Sequence, residues 1–124
     1  MLTFNQVIAV IPASNIERAR GFYEGTLGLR VRAVLTNAVQ YEIGQTRLIV
    51  YVSPYAGTAQ STAAALSVSN ILETMTELRN HGVIFEEYDL PGVKTTDGLA
   101  ETDGRSVAWF KDTEGNILEI NQGQ

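Results

Sequence analysis

The sequence predicts an α+β fold made of two tandem units, each with the element order β-α-β-β-β. The tripeptide Ser-Asn-Ile occurs at 14–16 and again at 69–71, and each copy stands between an apolar run and a segment with helical periodicity. One such unit leaves a face of its sheet uncovered, whereas two units together can bury it. We therefore predict one domain over 1–124, with unit one at about 1–53, a linker at 54–62 and unit two at about 63–124.

Unit one begins with an apolar run at 4–12 that is typical of a buried strand. Ser14 or Asn15 follows and can cap a helix with its side-chain oxygen. The apolar residues of this helix recur at helical spacing up to a glycine-containing end near 25–28; they are Ile16, Ala19, Phe22, Tyr23 and Leu27. Three strands are predicted next, at 29–34, 38–43 and 47–52, and the turn Gly-Gln-Thr separates the last two.

Unit two repeats the plan. A strand at 63–68 leads to Ser69 or Asn70 as the helix cap, and the predicted helix ends at His81 and Gly82. Three strands are predicted after it, at 83–87, 106–111 and 117–121. The segment 89–105 contains three turn signals and is predicted to be a long loop that is either mobile or functional. If it is a lid over the cavity, Tyr88, Leu90 and Leu99 could close on an apolar ligand.

The composition favours a small-molecule function. The net charge is −5 and the nine basic residues are scattered, which argues against a nucleic-acid partner. The apolar runs are too short to span a membrane, no signal peptide is visible, and there is no cysteine for disulfides or thiolate chemistry. We therefore expect a cytoplasmic protein with a small organic ligand.

Two segments carry a family resemblance: SNIERARGFYEGTLGL in the first half and VAWFKDTEGNILEI at the end. The second is close to the pattern F-x-D-P-D-G-N-x-x-E, with Thr113 in the proline position and Glu114 in the second aspartate position. On these residues the chain resembles the vicinal oxygen chelate superfamily, which contains glyoxalase I, bleomycin-resistance proteins and extradiol dioxygenases. The resemblance implies an open, curved, barrel-like sheet with a central cavity, and a homodimer. It indicates the fold more strongly than the reaction.

Metal-dependent members of that superfamily carry His, Gln or Glu on the first and fourth strands of each unit. The resemblance places Ile8 and Ala63 at the first-strand positions, and Ile49 or Tyr51 at the fourth-strand position of unit one. Only Glu119, on the last strand, keeps a metal-binding group. Zn²⁺, Mn²⁺ and Fe²⁺ need three or four protein ligands, so we predict no metal and no other cofactor. Shifting the alignment by two residues, to Gln6, would restore one ligand only.

Glu119 lies between Leu118 and Ile120 and therefore faces away from them, so it is expected to point into the cavity as a general base or a ligand-binding acceptor, or else to be an exposed carboxylate without a role. Aromatic residues are candidates for lining the cavity: Tyr51, Trp109 and Tyr41. Arg47 is a candidate partner for a ligand carboxylate or for Glu119. Phe22 is expected in the core and His81 at the surface.

Four functions fit these observations. The first is a metal-independent small-molecule-binding protein, with ligand contacts from Tyr51, Trp109, Tyr41, Arg47, Ile8 and Ala63. The second is a metal-free isomerase, lyase or cyclase that uses Glu119 as its base. A metal-dependent lyase or dioxygenase conflicts with Ile8 and Ala63, and an accessory domain without a small-molecule role leaves Glu119 unexplained. The sequence favours the first function and does not name the ligand.

Overall fold

The computed structural model describes residues 2–123. Unit one contains β1 (Ala9–Ala13), α1 (Ile16–Arg20, continued by π-helical turns at Gly21–Thr26), β2 (Arg30–Leu35), β3 (Ala38–Ile43) and β4 (Thr46–Val52). Unit two contains β5 (Thr62–Ser67), α2 (Ile71–Asn80), a short hairpin of β6 (Asp89–Leu90) and β7 (Val93–Lys94), and then β8 (Ala100–Thr102), β9 (Arg105–Lys111) and β10 (Ile117–Gln122).

The two main sheets have the same topology. Their strand orders are β1-β4-β3-β2 and β5-β10-β9-β8. In each sheet the first strand pairs in parallel with the last, and the other neighbours are antiparallel. The predicted α+β class with two β-α-β-β-β units is therefore confirmed, and each sheet stays open at both edges.

The repeated tripeptide marks the same strand-to-helix corner in both units. Asn15 Oδ1 accepts a hydrogen bond from the backbone N–H of Arg18 at 3.0 Å, and Asn70 Oδ1 accepts one from the backbone N–H of Glu73 at 3.1 Å. In each copy the asparagine is thus the helix cap, and the preceding serine is not.

Two predicted strands differ from the structure. The strand predicted at 4–12 is confined to Ala9–Ala13, and residues 2–8 form no regular element. β1 is parallel to β4, which begins at Thr46, and Ala9 lies opposite Leu48. Most of residues 2–8 therefore lie before the start of β4 and have no neighbouring strand to bond. The strand predicted at 83–87 is reduced to one bridge between Phe85 and Phe110. Its place at the sheet edge is taken by β8, which lies inside the predicted loop 89–105.

One apolar core joins both units. The helix-facing residues of the two sheets and the inner faces of α1 and α2 belong to a single buried cluster. Phe22 lies in this cluster, as predicted, and its ring centroid is 6.3 Å from that of Phe110 in the other unit. Because the core lies on the helix side, the opposite face of each sheet lies outside this cluster. We call this second surface the open face. None of the helices within residues 2–123 has the length and apolar character to cross a membrane.

Candidate functional site

The open face of unit two carries Glu119. The neighbouring strand residues Leu118 and Ile120 are buried against α2, whereas the Glu119 side chain is 17% exposed on the opposite face. The alternation predicted around Glu119 is therefore confirmed. Its position is directly opposite Trp109 on β9 and beside Ala65 on β5. Opposed residues on neighbouring strands have Cβ atoms about 5 Å apart and project from the same face, so Glu119 and Trp109 are cross-strand neighbours.

One oxygen of Glu119 is held by protein groups. Oε2 accepts a hydrogen bond from Nδ2 of Asn121 at 2.8 Å, and Nη2 of Arg105 lies 4.0 Å from the same atom. Within residues 2–123, no hydrogen-bond donor to Oε1 is found. This arrangement orients the carboxylate and leaves its second oxygen available to a ligand donor or proton.

A cleft of about 310 Å³ lies beside Trp109. We call it the aromatic cleft. Its lining comes from the linker end, β5, the β6–β7 hairpin and the strands β9 and β10: Gln60, Ser61, Thr62, Tyr88, Leu90, Val93, Trp109 and Ile117. The rings of Tyr88 and Trp109 meet edge to face, with centroids 5.4 Å apart and an interplanar angle of 79°. Burial, and to a smaller degree the nearby Glu86 charge, raises the pKa of the Tyr88 hydroxyl.

Hydrogen bonds fix the hairpin that carries Tyr88. The backbone N–H of Tyr88 donates to Oγ1 of Thr95 at 2.8 Å, and Oγ1 of Thr95 donates to Oε1 of Glu87 at 2.6 Å. The same Glu87 oxygen accepts from the backbone N–H of Gly98 at 3.0 Å. Within the predicted loop 89–105, residues 89–94 therefore form a β-hairpin. Side-chain hydrogen bonds hold this hairpin in place, and it forms one wall of the aromatic cleft.

A second and larger cleft, of about 760 Å³, runs along the edge of β5. We call it the edge groove. It is lined by Val7, Ala9, residues 43–44 and 46–48 of unit one, and residues 63–67 of β5. A smaller polar pocket of about 180 Å³ shares Gly44, Thr46 and Arg47 with it. We call this the arginine pocket, and it also contains Gln6, Arg32, Glu42 and Gln45.

The predicted site residues fall into different surfaces. Trp109 lines the aromatic cleft, while Arg47 and Ala63 line the edge groove. Ile8 is half-buried just before β1. Tyr51 is 40% exposed on the open face of unit one, and it is not among the residues that line either cleft.

The position of Tyr41 differs from the one expected from the sequence. It was expected to line the cavity, but it is fully buried on the helix side of β3, between Val39 and Ile43 in the same alternating series. Its hydroxyl donates to Oε2 of Glu24 at 2.9 Å, and its ring stacks on that of Tyr23 with centroids 6.0 Å apart. Tyr41 therefore belongs to the core and stands outside the candidate site.

The sequence-based candidates do not include Val93 and residues 60–62, which line the aromatic cleft, or Asn121, which donates a hydrogen bond to Glu119 outside that lining. Asn121 was detectable, because a residue two positions after Glu119 on a strand shares its face. The linker residues carried no signal, since their contact with Trp109 depends on the packing of the chain between the units.

The donors for a metal of the kind that the family resemblance implies are not assembled here. Throughout residues 2–123, no three side chains of His, Cys, Asp or Glu are placed to hold one ion. Ile8 and Ala63 offer no donor atoms, and the nitrogen and oxygen groups nearest to Glu119 are Asn121 and the cation Arg105. Such a donor set does not fit Zn²⁺, Mn²⁺ or Fe²⁺.

Comparison with known proteins gives a family. The sequence model of the glyoxalase/bleomycin resistance protein/dioxygenase superfamily matches residues 4–120. No curated protein sequence matches the chain significantly. A bleomycin-binding protein from Streptomyces verticillus is similar in structure, with a TM-score of 0.75, 20% identity and complete coverage of both chains.

Two further solved structures are similar. Lactoylglutathione lyase from Agrobacterium tumefaciens has a TM-score of 0.73 at 15% identity, over 98% of this chain and 96% of that one. A virulence protein from Salmonella typhimurium has a TM-score of 0.70 at 19% identity, over all of both chains. At these identities the likeness shows a common fold and leaves the chemistry to the residues of each site.

Proposed function

Because the chain belongs to the glyoxalase/bleomycin resistance protein/dioxygenase superfamily, we propose that it binds a small organic molecule in the aromatic cleft and does so without a metal ion. The observation that carries the proposal is the paired wall of Tyr88 and Trp109, with Glu119 opposite Trp109 on the neighbouring strand, outside the cleft lining. Aromatic walls with a few polar groups are typical of small-molecule sites.

The dimensions of the cleft limit the ligand. A volume of about 310 Å³ is at the lower end of the range for drug-sized ligands, which fits one or two rings and not an extended chain. A ligand ring stacked on Trp109 and extending toward β10 would present a hydroxyl or amine donor to Oε1 of Glu119, which lies opposite Trp109 and outside the cleft lining. We therefore expect a planar ligand with at least one hydrogen-bond donor.

Trp109 itself supplies the test, because it is the only tryptophan of the chain. A ligand in the aromatic cleft must change its fluorescence. We would titrate the protein with a panel of planar organic compounds of one or two rings, and with bleomycin and lactoylglutathione, which the names of two structural relatives suggest, as compounds that exceed the cleft volume. Saturable quenching or a shift of the emission supports the proposal. A panel that leaves the emission unchanged, although Trp109 is accessible to a neutral quencher, contradicts it.

Metal independence has its own measurement. Elemental analysis of protein purified without added metal should find no stoichiometric zinc, iron or manganese, and a chelator should leave the dissociation constant of an identified ligand unchanged. The basis is the donor set, in which Glu119 is accompanied by Asn121 and Arg105. Stoichiometric metal that is lost together with ligand binding in a Glu119→Ala variant would overturn this part of the proposal.

A second candidate is metal-free catalysis with Glu119 as general base. The observation that favours it is the free oxygen Oε1 beside a hydrophobic wall, where a bound carbon acid could approach within proton-transfer distance. Turnover of a cleft ligand to an isomer, an elimination product or a cyclised product would establish this function. Ligand recovered unchanged from saturated protein would support binding alone.

The proposed assembly is a homodimer. Its support is the cluster of exposed apolar side chains before β1, where Leu2 and Phe4 are 81% and 83% exposed. Apolar groups concentrated in this way favour contact with another protein surface. Sedimentation equilibrium should give a dimer for the natural chain and a monomer when both residues are changed to serine. A monomer for the natural chain at all concentrations would contradict this expectation.

A further inference from the structure

We propose that the edge groove binds an amphipathic organic anion, with its apolar part against β5 and its oxyanion at Arg47. The site goes beyond the aromatic cleft and does not depend on it. The two surfaces adjoin at Thr62 and Ala63, which are neighbours on β5, but their lining residues differ.

The groove has the size and surface for the apolar part. Its volume of about 760 Å³ lies within the usual range for small-molecule sites. β5 pairs with β10 on one side only, and its other side opens into the groove. The short side chains of Ala63, Ala64 and Ala65 leave space along this edge, while Ala9 and Leu48 form the opposite wall.

Positive charge collects at one end of this groove. Glu42 is paired across the sheet with both Arg30 and Arg47, and Nη1 of Arg32 lies 4.0 Å from Oε1 of Glu42. Three arginines and one glutamate therefore occupy neighbouring positions on these strands, and only Arg32 approaches the carboxylate, in a chain whose net charge is −5. The local excess of positive charge selects an anion, in contrast to the overall acidity of the protein.

Arg47 connects the charge to the groove. It lines both the arginine pocket and the edge groove, and its side chain is half-buried. Within the described residues, 2–123, its guanidinium makes no hydrogen bond and no ion pair. Arginine is rarely withdrawn from water without a partner, and its planar fork matches carboxylate, phosphate and sulfonate groups. An oxyanion at this position would supply the missing partner.

The test uses two fluorescent probes that share an aromatic skeleton. One is 1-anilinonaphthalene-8-sulfonate, which carries the anion, and the other is N-phenyl-1-naphthylamine, which lacks it. In Arg47→Gln we expect the sulfonate probe to bind about tenfold more weakly and the neutral probe to bind as before. Arg30→Gln is the matched control, because it removes the same charge beside Glu42 from a residue that does not line the pocket.

Other variants separate this site from the aromatic cleft. Ala64→Leu narrows the groove from the strand face that points away from Glu119 and should weaken both probes, whereas Trp109→Phe should leave the Arg47-dependent difference between the probes intact. If that difference disappears in Trp109→Phe, or if Arg47→Gln and Arg30→Gln behave alike, the site is not at Arg47. Probe affinity that falls as protein concentration rises would show that a second copy covers the groove, which also overturns the proposal.

Discussion

Glu114, in the turn between β9 and β10, holds the beginning of α1 through Arg18. Nε of Arg18 donates to Oε2 of Glu114 at 2.7 Å, and the backbone N–H of Asn15 donates to Oε1 at 2.9 Å. The Glu114 side chain is fully buried, while that of Arg18 is 51% exposed. The contact therefore connects the N-terminus of α1 in unit one to the β9–β10 hairpin of unit two.

Glu114→Gln should lower the free energy of unfolding by about 2 kcal/mol, because the buried site then lacks a charge and directs an amide N–H toward existing donors. Urea unfolding followed by circular dichroism measures the loss. Glu17→Gln is the control, since Glu17 is an exposed carboxylate in the first turn of the same helix and should cost only a few tenths of a kcal/mol. Equal losses in the two variants would show that the contact between Arg18 and Glu114 makes no specific contribution to the free energy of unfolding.

The same contact predicts a pH dependence. The hydrogen bond from Arg18 lowers the pKa of the Glu114 carboxyl to about 2, from an ordinary value of 4.5. A group whose pKa is lower in the folded state contributes its full stability above the unfolded value, and loses it as pH falls toward the folded value. The stability difference between the natural chain and Glu114→Gln should therefore be constant from pH 7 to about 5 and shrink from pH 4.5 to 3. A difference that stays constant down to pH 3 would contradict this linkage.

Gly98 offers a second stability prediction. Its φ is +82°, and a Cβ added there would lie 2.8 Å from Cβ of Phe85 and 3.3 Å from Cε of Met75. Gly98→Ala therefore adds a steric clash with the core under α2 to the backbone strain, and should cost about 3 kcal/mol. The hydrogen bond from Gly98 to Glu87 lies in the same segment, so the Tyr88 hairpin should loosen as well.

Gly92 is a matched control for Gly98. It has the same φ of +82°, but a Cβ added there would meet no atom within 4 Å. Gly92→Ala should therefore report backbone strain alone, about 1 kcal/mol. Thermal unfolding of both variants measures the difference. If Gly92→Ala is as costly as Gly98→Ala, the close approach to Phe85 is not what requires glycine at 98.

The repeat was predictable from sequence because it rests on local chemistry. Asn15 and Asn70 each cap a helix through their own side chains, and the alternation of Leu118, Glu119 and Ile120 assigns their faces without knowledge of any other strand. The sequence offers Tyr41 as a candidate for lining the cavity without fixing its face, although the same rule applies to it. Its neighbours Val39 and Ile43 mark the core side of β3, and the aromatic type of Tyr41 outweighed that pattern.

The other differences depend on contacts between distant segments. Residues 83–87 have the composition of a strand, but the backbone N–H of Glu86 bonds to the carbonyl of Trp109, and β8 occupies the edge position further along β9. The hairpin at 89–94 and the turn at Gly98 determine whether residues 83–87 or β8 pairs with β9. The local sequence of these two turns does not indicate which segment will pair. The edge groove likewise combines β5 with the ends of β1 and β4, so no single stretch of sequence indicates its presence.

The wall of the aromatic cleft can be tested without a ligand. Tyr88→Ala removes the ring that meets Trp109 edge to face, so water should reach the indole and shift its emission to longer wavelength. Tyr88→Phe keeps the ring and should leave the emission unchanged. Loss of the contact should also make Trp109 more accessible to acrylamide. An unchanged spectrum in Tyr88→Ala would mean that Tyr88 does not cover Trp109 in solution.

Glu119→Gln separates the two candidate functions. The amide can still accept a hydrogen bond from Asn121, so the geometry of the open face should persist. In a binding protein, the dissociation constant of a cleft ligand should rise by about tenfold, because one charge-assisted hydrogen bond is weakened. In an enzyme that uses Glu119 as its base, the same change should reduce turnover by at least about a hundredfold.

Glu101→Gln is the control for this change. Glu101 is an exposed carboxylate on β8 that accepts hydrogen bonds from Ser106 at 3.0 Å and, unlike Glu119, is not paired with Trp109. It should leave both quantities as they are in the natural chain. We expect the pattern of a binding protein: a weaker but saturable change of Trp109 fluorescence in Glu119→Gln, with the ligand recovered intact. A chemically altered ligand formed by the natural chain and not by Glu119→Gln would instead identify Glu119 as the catalytic base.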